Sequence, residues 1–264
     1  MIESEQTTSV SQVFEQFLTP PRKSPSAKEQ KLIEQAEIFS IPSKIADLTA
    51  YSWGEGATVL IVHGWGGRGT QFGSFVKPLV DSGYRVLAFD APAHGKTVGK
   101  QTNGFELAEA IATIAAKESP IDTIIAHSLG ATSTALALSK EVFARKVVCL
   151  ASLCWLSSSV KRFAKLAKLS QQAEDELYRL MENKFGKDVW DIVSVDKRVA
   201  NLSIPALLFH DRADRDCSLR ESEAISQAWQ NSQLIVTEGL GHNRILRDEQ
   251  VVQQTVNFIK EQNI

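Results

Sequence analysis

Six runs of the chain are almost uninterrupted in Val, Ile and Leu: TVLIVHG, YRVLAFD, IDTIIAHS, RKVVCLAS, IPALLFHD and SQLIVTEG. Alternating polar and apolar positions would mark a sheet with one wet face. Continuous apolarity marks strands buried on both faces. Between most of these runs the period lengthens to that of a helix. In QFGSFVKPLVDSG the residues Phe72, Phe75, Val76, Leu79 and Val80 recur on one face, and Gly83 is a stop signal. NGFELAEAIATIAAKE, LGATSTALALSKEVF, SLRESEAISQAWQ and DEQVVQQTVNFIKEQ follow later strands in the same way. Strand–helix alternation predicts an α/β protein with a mostly parallel central sheet flanked by helices on both faces.

One connection breaks this rhythm. Residues 153–203 hold no strand-like run but two helical stretches, VKRFAKLAKLS and AEDELYRLMENKFG, the second with Leu177, Leu180, Met181 and Phe185 at helical spacing. Helices inserted at this point read as a lid over the strand ends, or as an extra packing layer without gating. Residues 1–45 read as an N-terminal helical extension interrupted by the breaker cluster PPRKSP, and 46–264 as the α/β domain that carries the insertion. LTAYSWGEG supplies a further strand and turn before the main sheet.

Composition adds mainly exclusions. A 264-residue chain with 43% hydrophobic and 23% charged residues is that of an ordinary globular domain, and a formal net charge of -2 points to neither nucleic acid nor an anionic membrane. The opening MIESEQTTSV is acidic and lacks an apolar run, so it does not read as a secretory signal, and no run is long enough to span a bilayer. The expected location is cytoplasmic. Cys149, Cys154 and Cys217 lack metal-ligand spacing and read as buried free thiols.

Candidate chemistry gathers at the ends of the strand runs. In AHSLG (Ala126 to Gly130) a strand stops, a serine follows, and a helix begins at once. Such a turn exposes the serine hydroxyl and aims the helix N-terminal N–H groups at a developing oxyanion. Ser128 is the candidate nucleophile, and capping of the helix is the bland alternative. HGWGGRG, after TVLIV, has neither dinucleotide nor Walker spacing and suits an oxyanion loop, with the backbone N–H of Trp65 paired with that of Leu129. A nucleophilic serine needs a base, and the base an orienting acid. His242, in the loop EGLGHNR after the last strand, is the expected base. His63 and His94 sit in turns, and His127 adjoins Ser128 with its side chain expected to point away. For the acid, FHDRADRDCS offers Asp211, Asp214 and Asp216. Asp214 has the most suitable reach, while Asp211 could brace the turn and Asp216 could cap the helix near Ser218.

Taken together, HGWGG, FDAPAHGKT, AHSLGA, HDRAD and GLGH resemble the α/β-hydrolase superfamily from about Ala50 onward, with Ser128, Asp214 and His242 in that family's order. The resemblance implies an α/β-hydrolase fold and a serine hydrolase acting on a carboxylic ester or thioester substrate, with no metal or organic cofactor. It also implies a structural role for Asp90 and His94. Ala126 and Asp211 stand where the family pattern has glycine. A serine nucleophile argues against haloalkane dehalogenase or epoxide hydrolase activity, which in this superfamily use aspartate. Trp155, Phe163, Leu166 and Trp190 suggest an acyl pocket. The basic run of Lys161, Arg162, Lys165 and Lys168 raises the option of acyl-coenzyme A. Acyl transfer or carbon–carbon bond hydrolysis would use the same three residues. A non-catalytic binding protein on the same fold is the alternative of another class.

Overall fold

The computed structural model describes residues 9–140 and 142–261. Among these, eight strands form one sheet: β1 (Glu37–Ile41), β2 (Leu48–Trp53), β3 (Ala57–Val62), β4 (Tyr84–Phe89), β5 (Ile121–His127), β6 (Ala144–Leu150), β7 (Ala206–Asp211) and β8 (Ser232–Thr237). Their order across the sheet is β1-β2-β4-β3-β5-β6-β7-β8. The β1–β2 and β2–β4 pairs are antiparallel and all the others parallel.

The pleat sorts the continuous apolar runs between two cores. Leu60, Val62, Leu87, Phe89, Ile124, Ala126, Val147 and Cys149 face one way, under the helices Gly104–Glu118, Leu129–Leu138 and Leu219–Ala228. Val59, Ile61, Val86, Ala88, Ile125, Val148 and Leu150 face the other way, under Gly73–Asp81 and Glu249–Lys260. Each neighbour along a strand thus finds a separate apolar layer, which is why alternation is absent. The helix Leu129–Leu138 is buried at every position from Gly130 onward, because Gly104–Glu118 and the short helix Val195–Val199 close its outer sides.

The insertion between β6 and β7 consists of the helices Leu156–Leu166, Gln171–Phe185, Val189–Ile192 and Val195–Val199. The N-terminal segment differs from the expected helical extension. Helices Val10–Phe17 and Ala27–Glu34 are present, each opened by a capping box (Ser9 with Gln12, Ser26 with Glu29), but β1 follows at Glu37, so the sheet begins before residue 46. β1 is a half-exposed edge strand, pairing Glu37–Ile41 with Leu48–Ser52, and it lacks the continuous apolarity of the inner strands. Phe14 and Leu18 pack with Val160, Ala164, Leu177 and Met181 of the inserted helices in a third apolar cluster. Cys149, Cys154 and Cys217 are buried free thiols, as expected. Residues 1–8, Glu141 in the run LGATSTALALSKEVF, and the end of DEQVVQQTVNFIKEQ lie outside the described residues. Among the described residues no helix is long and apolar enough to cross a membrane.

The chain leaves β3 for β4 on one side and returns to β5 on the other. Connections that diverge in this way open a crevice at the carboxyl ends of the strands. Val62 lies opposite Ala126, so the loop after β3 faces the turn after β5.

Candidate active site

β5 ends at His127 and the next helix starts at Leu129, leaving Ser128 alone at the junction with φ 53° and ψ -123°. A non-glycine residue there stores strain on the order of 1–3 kcal/mol. The turn is held by Ser128 N donating to Leu150 O (2.9 Å) and Ala131 N donating to Ser128 O (2.9 Å). Two glycines are sterically required. A Cβ at Gly130 would lie 2.6 Å from His63 O and 2.7 Å from Val62 O, and one at Gly64 would lie 2.9 Å from Ser128 Cβ. Ala126 needs no such allowance, since its methyl is fully buried in the apolar layer with Leu60, Val62 and Cys149. Gly130→Ala should therefore cost about 2 kcal/mol or more, because the backbone of Val62 and His63 must move. Ala126→Gly should cost only about 1 kcal/mol, from lost packing and added chain entropy. Urea unfolding midpoints of the two variants check this, and equal losses would contradict it.

Ser128 Oγ lies 3.0 Å from His242 Nε2, and His242 Nδ1 lies 2.7 Å from Asp214 Oδ2. Asp214 follows the end of β7 and His242 follows β8, so adjacent strand ends deliver both groups to the rim beside the serine. Burial raises the Asp214 pKa. The hydrogen bond and charge of His242, with the N–H groups of Cys217 (2.9 Å) and Asp216 (2.7 Å), outweigh burial and hold Asp214 below the usual carboxylate range. Asp211 braces the loops on either side, accepting from Ala213 N, the Thr237 hydroxyl and Leu240 N at 2.8–2.9 Å. Asp216 does not cap the helix at Ser218. It pairs with Arg162 of the insertion at 2.7 Å.

His127 departs from its expected orientation. Its Nε2 donates to the backbone carbonyl of His242 (2.8 Å), and its ring lies 4.7 Å from that of His242. Spacing along the chain gives no signal for this bond, which spans 115 positions.

The loop His63–Gly69 is held by buried neutral imidazoles. His63 Nδ1 donates to Gly64 O (2.7 Å) and its Nε2 accepts from Ala91 N (3.0 Å). His94 Nδ1 donates to Pro92 O (2.9 Å) and its Nε2 accepts from Gly66 N (3.0 Å). Asp90 accepts from Gly69 N, the Tyr51 hydroxyl and Lys96 N. Burial depresses the pKa of His63 to about 4, and of His94 and His127 to about 3. Among the described residues the N–H groups of Trp65 and Leu129 have no protein acceptor, and both residues line the cavity over Ser128.

That cavity has a volume of about 530 Å³. Its apolar wall includes Phe105, Leu129, Leu153, Phe163, Leu166 and Met181. Of the aromatic residues expected there, Phe163 lines it but Trp155 and Trp190 do not. Trp155 donates its indole N–H toward Asp196, and Trp190 donates to Glu182 and packs on Tyr178. Of the basic run only Arg162 reaches the cavity, and its charge is matched by Asp216. The ligand atoms of Asp214, Asp216 and His242 lie within 4.8 Å of one another. They suit a metal poorly, since Asp214 is committed to His242 and two N–H groups and Asp216 to Arg162.

Comparison with known proteins agrees with this architecture. The model of the Alpha/beta hydrolase family matches residues 59–254. Non-heme chloroperoxidase CPO-A1 of Kitasatospora aureofaciens is 27% identical over 137 residues, 50% of this chain and 47% of that protein. The aligned part thus spans about half the length of this curated relative. Among solved structures, the esterase PF2001 of Pyrococcus furiosus is similar with a TM-score of 0.69 at 22% identity, covering 92% of this chain and 96% of its own. A bromoperoxidase from Bacillus anthracis is similar with a TM-score of 0.66 at 17% identity, covering 85% and 99%. At these identities the structural likeness is one of fold.

Proposed function

Because the chain belongs to the alpha/beta hydrolase family, we propose that it hydrolyses carboxylic esters or thioesters through an acyl-enzyme on Ser128. The observation that carries this reading is the continuous chain Ser128 Oγ–His242–Asp214, with contacts of 3.0 and 2.7 Å, at the floor of a largely apolar cavity.

His242 Nε2 takes the proton of Ser128 as Oγ attacks the substrate carbonyl carbon. Asp214, ionised and buried, holds Nδ1–H and stabilises the imidazolium that forms. The N–H groups of Trp65 and Leu129 receive the oxyanion, in a site where each such donor contributes a few kcal/mol to the barrier reduction. As the intermediate collapses, His242 gives its proton to the departing alcohol or thiol oxygen or sulfur. Water then enters and, as His242 takes one of its protons, its oxygen bonds to the acyl carbon; the acyl–Oγ bond breaks, His242 returns the proton to Ser128 Oγ, and the acid is released. Hydrogen peroxide in place of that water would release a peracid. The chloroperoxidase relative makes this a useful companion assay.

The test is labelling by a fluorophosphonate, followed by turnover of p-nitrophenyl esters from acetate to dodecanoate beside acyl-coenzyme A substrates. Wild type should label at Ser128 and Ser128→Ala should not. If wild type neither labels nor turns over any of these substrates, the proposal fails and the result supports a non-catalytic binding protein. Ester turnover that exceeds acyl-coenzyme A turnover is the expected order, because Arg162, the one member of the basic run that lines the cavity, is already paired with Asp216.

A further inference from the structure

Part of the cavity wall comes from a segment that precedes the sheet. Gln16, Phe17, Leu18, Thr19, Pro21 and Lys23 all line the space over Ser128, although they lie outside the matched residues 59–254. We propose that this N-terminal strap is a built-in wall of the acyl site and selects the length of the acyl chain. This inference rests on the ester-hydrolase reading above.

The strap is pinned at several points, which makes it a wall rather than a loose arm. On the side of the inserted helices, Phe14 and Leu18 are buried against Val160, Leu177 and Met181. The edge of the Phe17 ring meets Phe163, with centroids 5.1 Å apart and planes at 69°. On the side of the domain, Thr102 N donates to Leu18 O (3.0 Å). Arg22 donates to three carbonyls of the turn after β4: Gly95 (3.1 Å), Thr97 (2.7 Å) and Gly99 (3.0 Å). Pro21 reaches the oxyanion loop itself. A Cβ at Gly66 would lie 2.8 Å from Pro21 Cγ, so only glycine lets the strap approach so closely. The strap therefore spans from the inserted helices to the residue beside Trp65. It closes a space that the strand ends and the insertion alone would leave open.

The chemistry of the wall identifies what it selects. Phe17 and Leu18 of the strap complete one apolar surface with Phe163, Met181 and Phe185 of the inserted helices. Such a surface offers an acyl chain dispersion and dehydration and offers its polar carbonyl nothing, so the carbonyl stays at Ser128 while the chain runs along the wall. In an apolar slot, one methylene too many or too few changes kcat/KM by roughly tenfold or more. Residue volume at Phe17 then sets the preferred length.

The experiment compares Phe17→Ala and Phe17→Trp with wild type on p-nitrophenyl acetate, butyrate, octanoate and dodecanoate. Phe17→Ala should raise the ratio of kcat/KM for dodecanoate over butyrate about tenfold, and Phe17→Trp should lower it by a similar factor. Acetate turnover by each variant is the reference to which its rates on the longer esters are scaled. A residue that merely supports the fold would scale all four esters together, so unchanged ratios in both variants overturn the inference. If Phe17→Ala does not fold, the opposite shift in Phe17→Trp and the same shift in Phe17→Leu decide the matter. Turnover by wild type with unchanged ratios in the variants sinks this inference alone. No turnover by wild type sinks the hydrolase reading and this inference together.

Discussion

Ser128→Ala should reduce kcat/KM for ester hydrolysis by a factor on the order of 10⁴ or more while leaving the unfolding midpoint close to that of wild type. The two halves of this expectation have different causes. The rate falls because no acyl-enzyme can form without Oγ, and His242 then has no nucleophile to activate. Only binding and the oxyanion donors remain to lower the barrier. The stability hardly moves because alanine keeps the Cβ that makes φ 53° strained. Ser128→Gly separates the two effects. It should be equally inactive but more stable by about 1 kcal/mol, since glycine adopts positive φ without steric cost. Asp214→Asn should keep the shape of the site and lose about 10³–10⁴ in kcat, because an amide can present its N–H to Nδ1 and favour the wrong tautomer. Steady-state kinetics on one short ester, with urea unfolding of each variant, checks all three. An active Ser128→Ala protein would remove Ser128 from the chemistry. Equal stability of Ser128→Ala and Ser128→Gly would remove strain from the turn.

The protein should lose stability steeply as pH falls from 6.5 toward 4, well before its carboxylates are neutralised. His63, His94 and His127 are buried and neutral, with pKa values depressed from 6.5 to about 4, 3 and 3 by desolvation. A folded-state value below the unfolded one means that the unfolded chain binds protons the native chain refuses. The contribution is complete above about pH 6.5 and drains away as pH drops through the interval down to the folded values. By pH 5 each histidine costs about 2 kcal/mol, and the three together about 6 kcal/mol, against a typical total stability of 5–15 kcal/mol. The lowered pKa of Asp214 acts in the same sense at still lower pH, where its protonation would break the bond to His242. Urea midpoints at pH 7.5 and pH 5.0 should therefore differ strongly. His94→Gln should flatten that dependence by about a third, because one of the three groups is removed. Identical midpoints at the two pH values would show that these imidazoles take up protons without unfolding the protein.

The stability of this loop system ties the pH dependence to function. Gly66 N donates to His94 and Ala91 N donates to His63, so protonating either imidazole turns an acceptor into a donor and repels the backbone N–H facing it. Acid should thus disturb the loop His63–Gly69 before it reaches the rest of the sheet.

Much of the fold can be read along the chain, because the information is local. Continuous apolar runs separated by helical periods require a sheet covered on both faces, and each of the six runs corresponds to one of the inner or β8 strands. The turn AHSLG is legible for the same reason: a strand that stops, a small residue two positions after the serine, and an immediate helix are short-range requirements. Gly130 is confined by the backbone of Val62 and His63, which pack wherever such a turn meets its neighbouring strand. β1 carries no such signature, because four of its five residues are exposed or half-exposed and it needs no unbroken apolar run. The strap left a usable trace, since Val10, Val13, Phe14, Phe17 and Leu18 follow helical spacing. That trace says that the helix buries a face, not what the face touches.

Periodicity, turn chemistry and the order of reactive residues are thus written along the chain. Which of them meet is settled by packing. Among the three aspartates at and just beyond the end of β7, packing alone separates Asp214, turned toward His242, from Asp211, which ties β7 to the β8 loop, and Asp216, which faces Arg162. Packing alone sends Trp155 and Trp190 away from the cavity, brings Phe17 into it, and joins His127 to His242. The last two depend on contacts between segments more than a hundred residues apart. Local patterning sets what each segment must bury or expose. The partner it finds is set by how all the segments pack at once, and that is a property of the assembled fold.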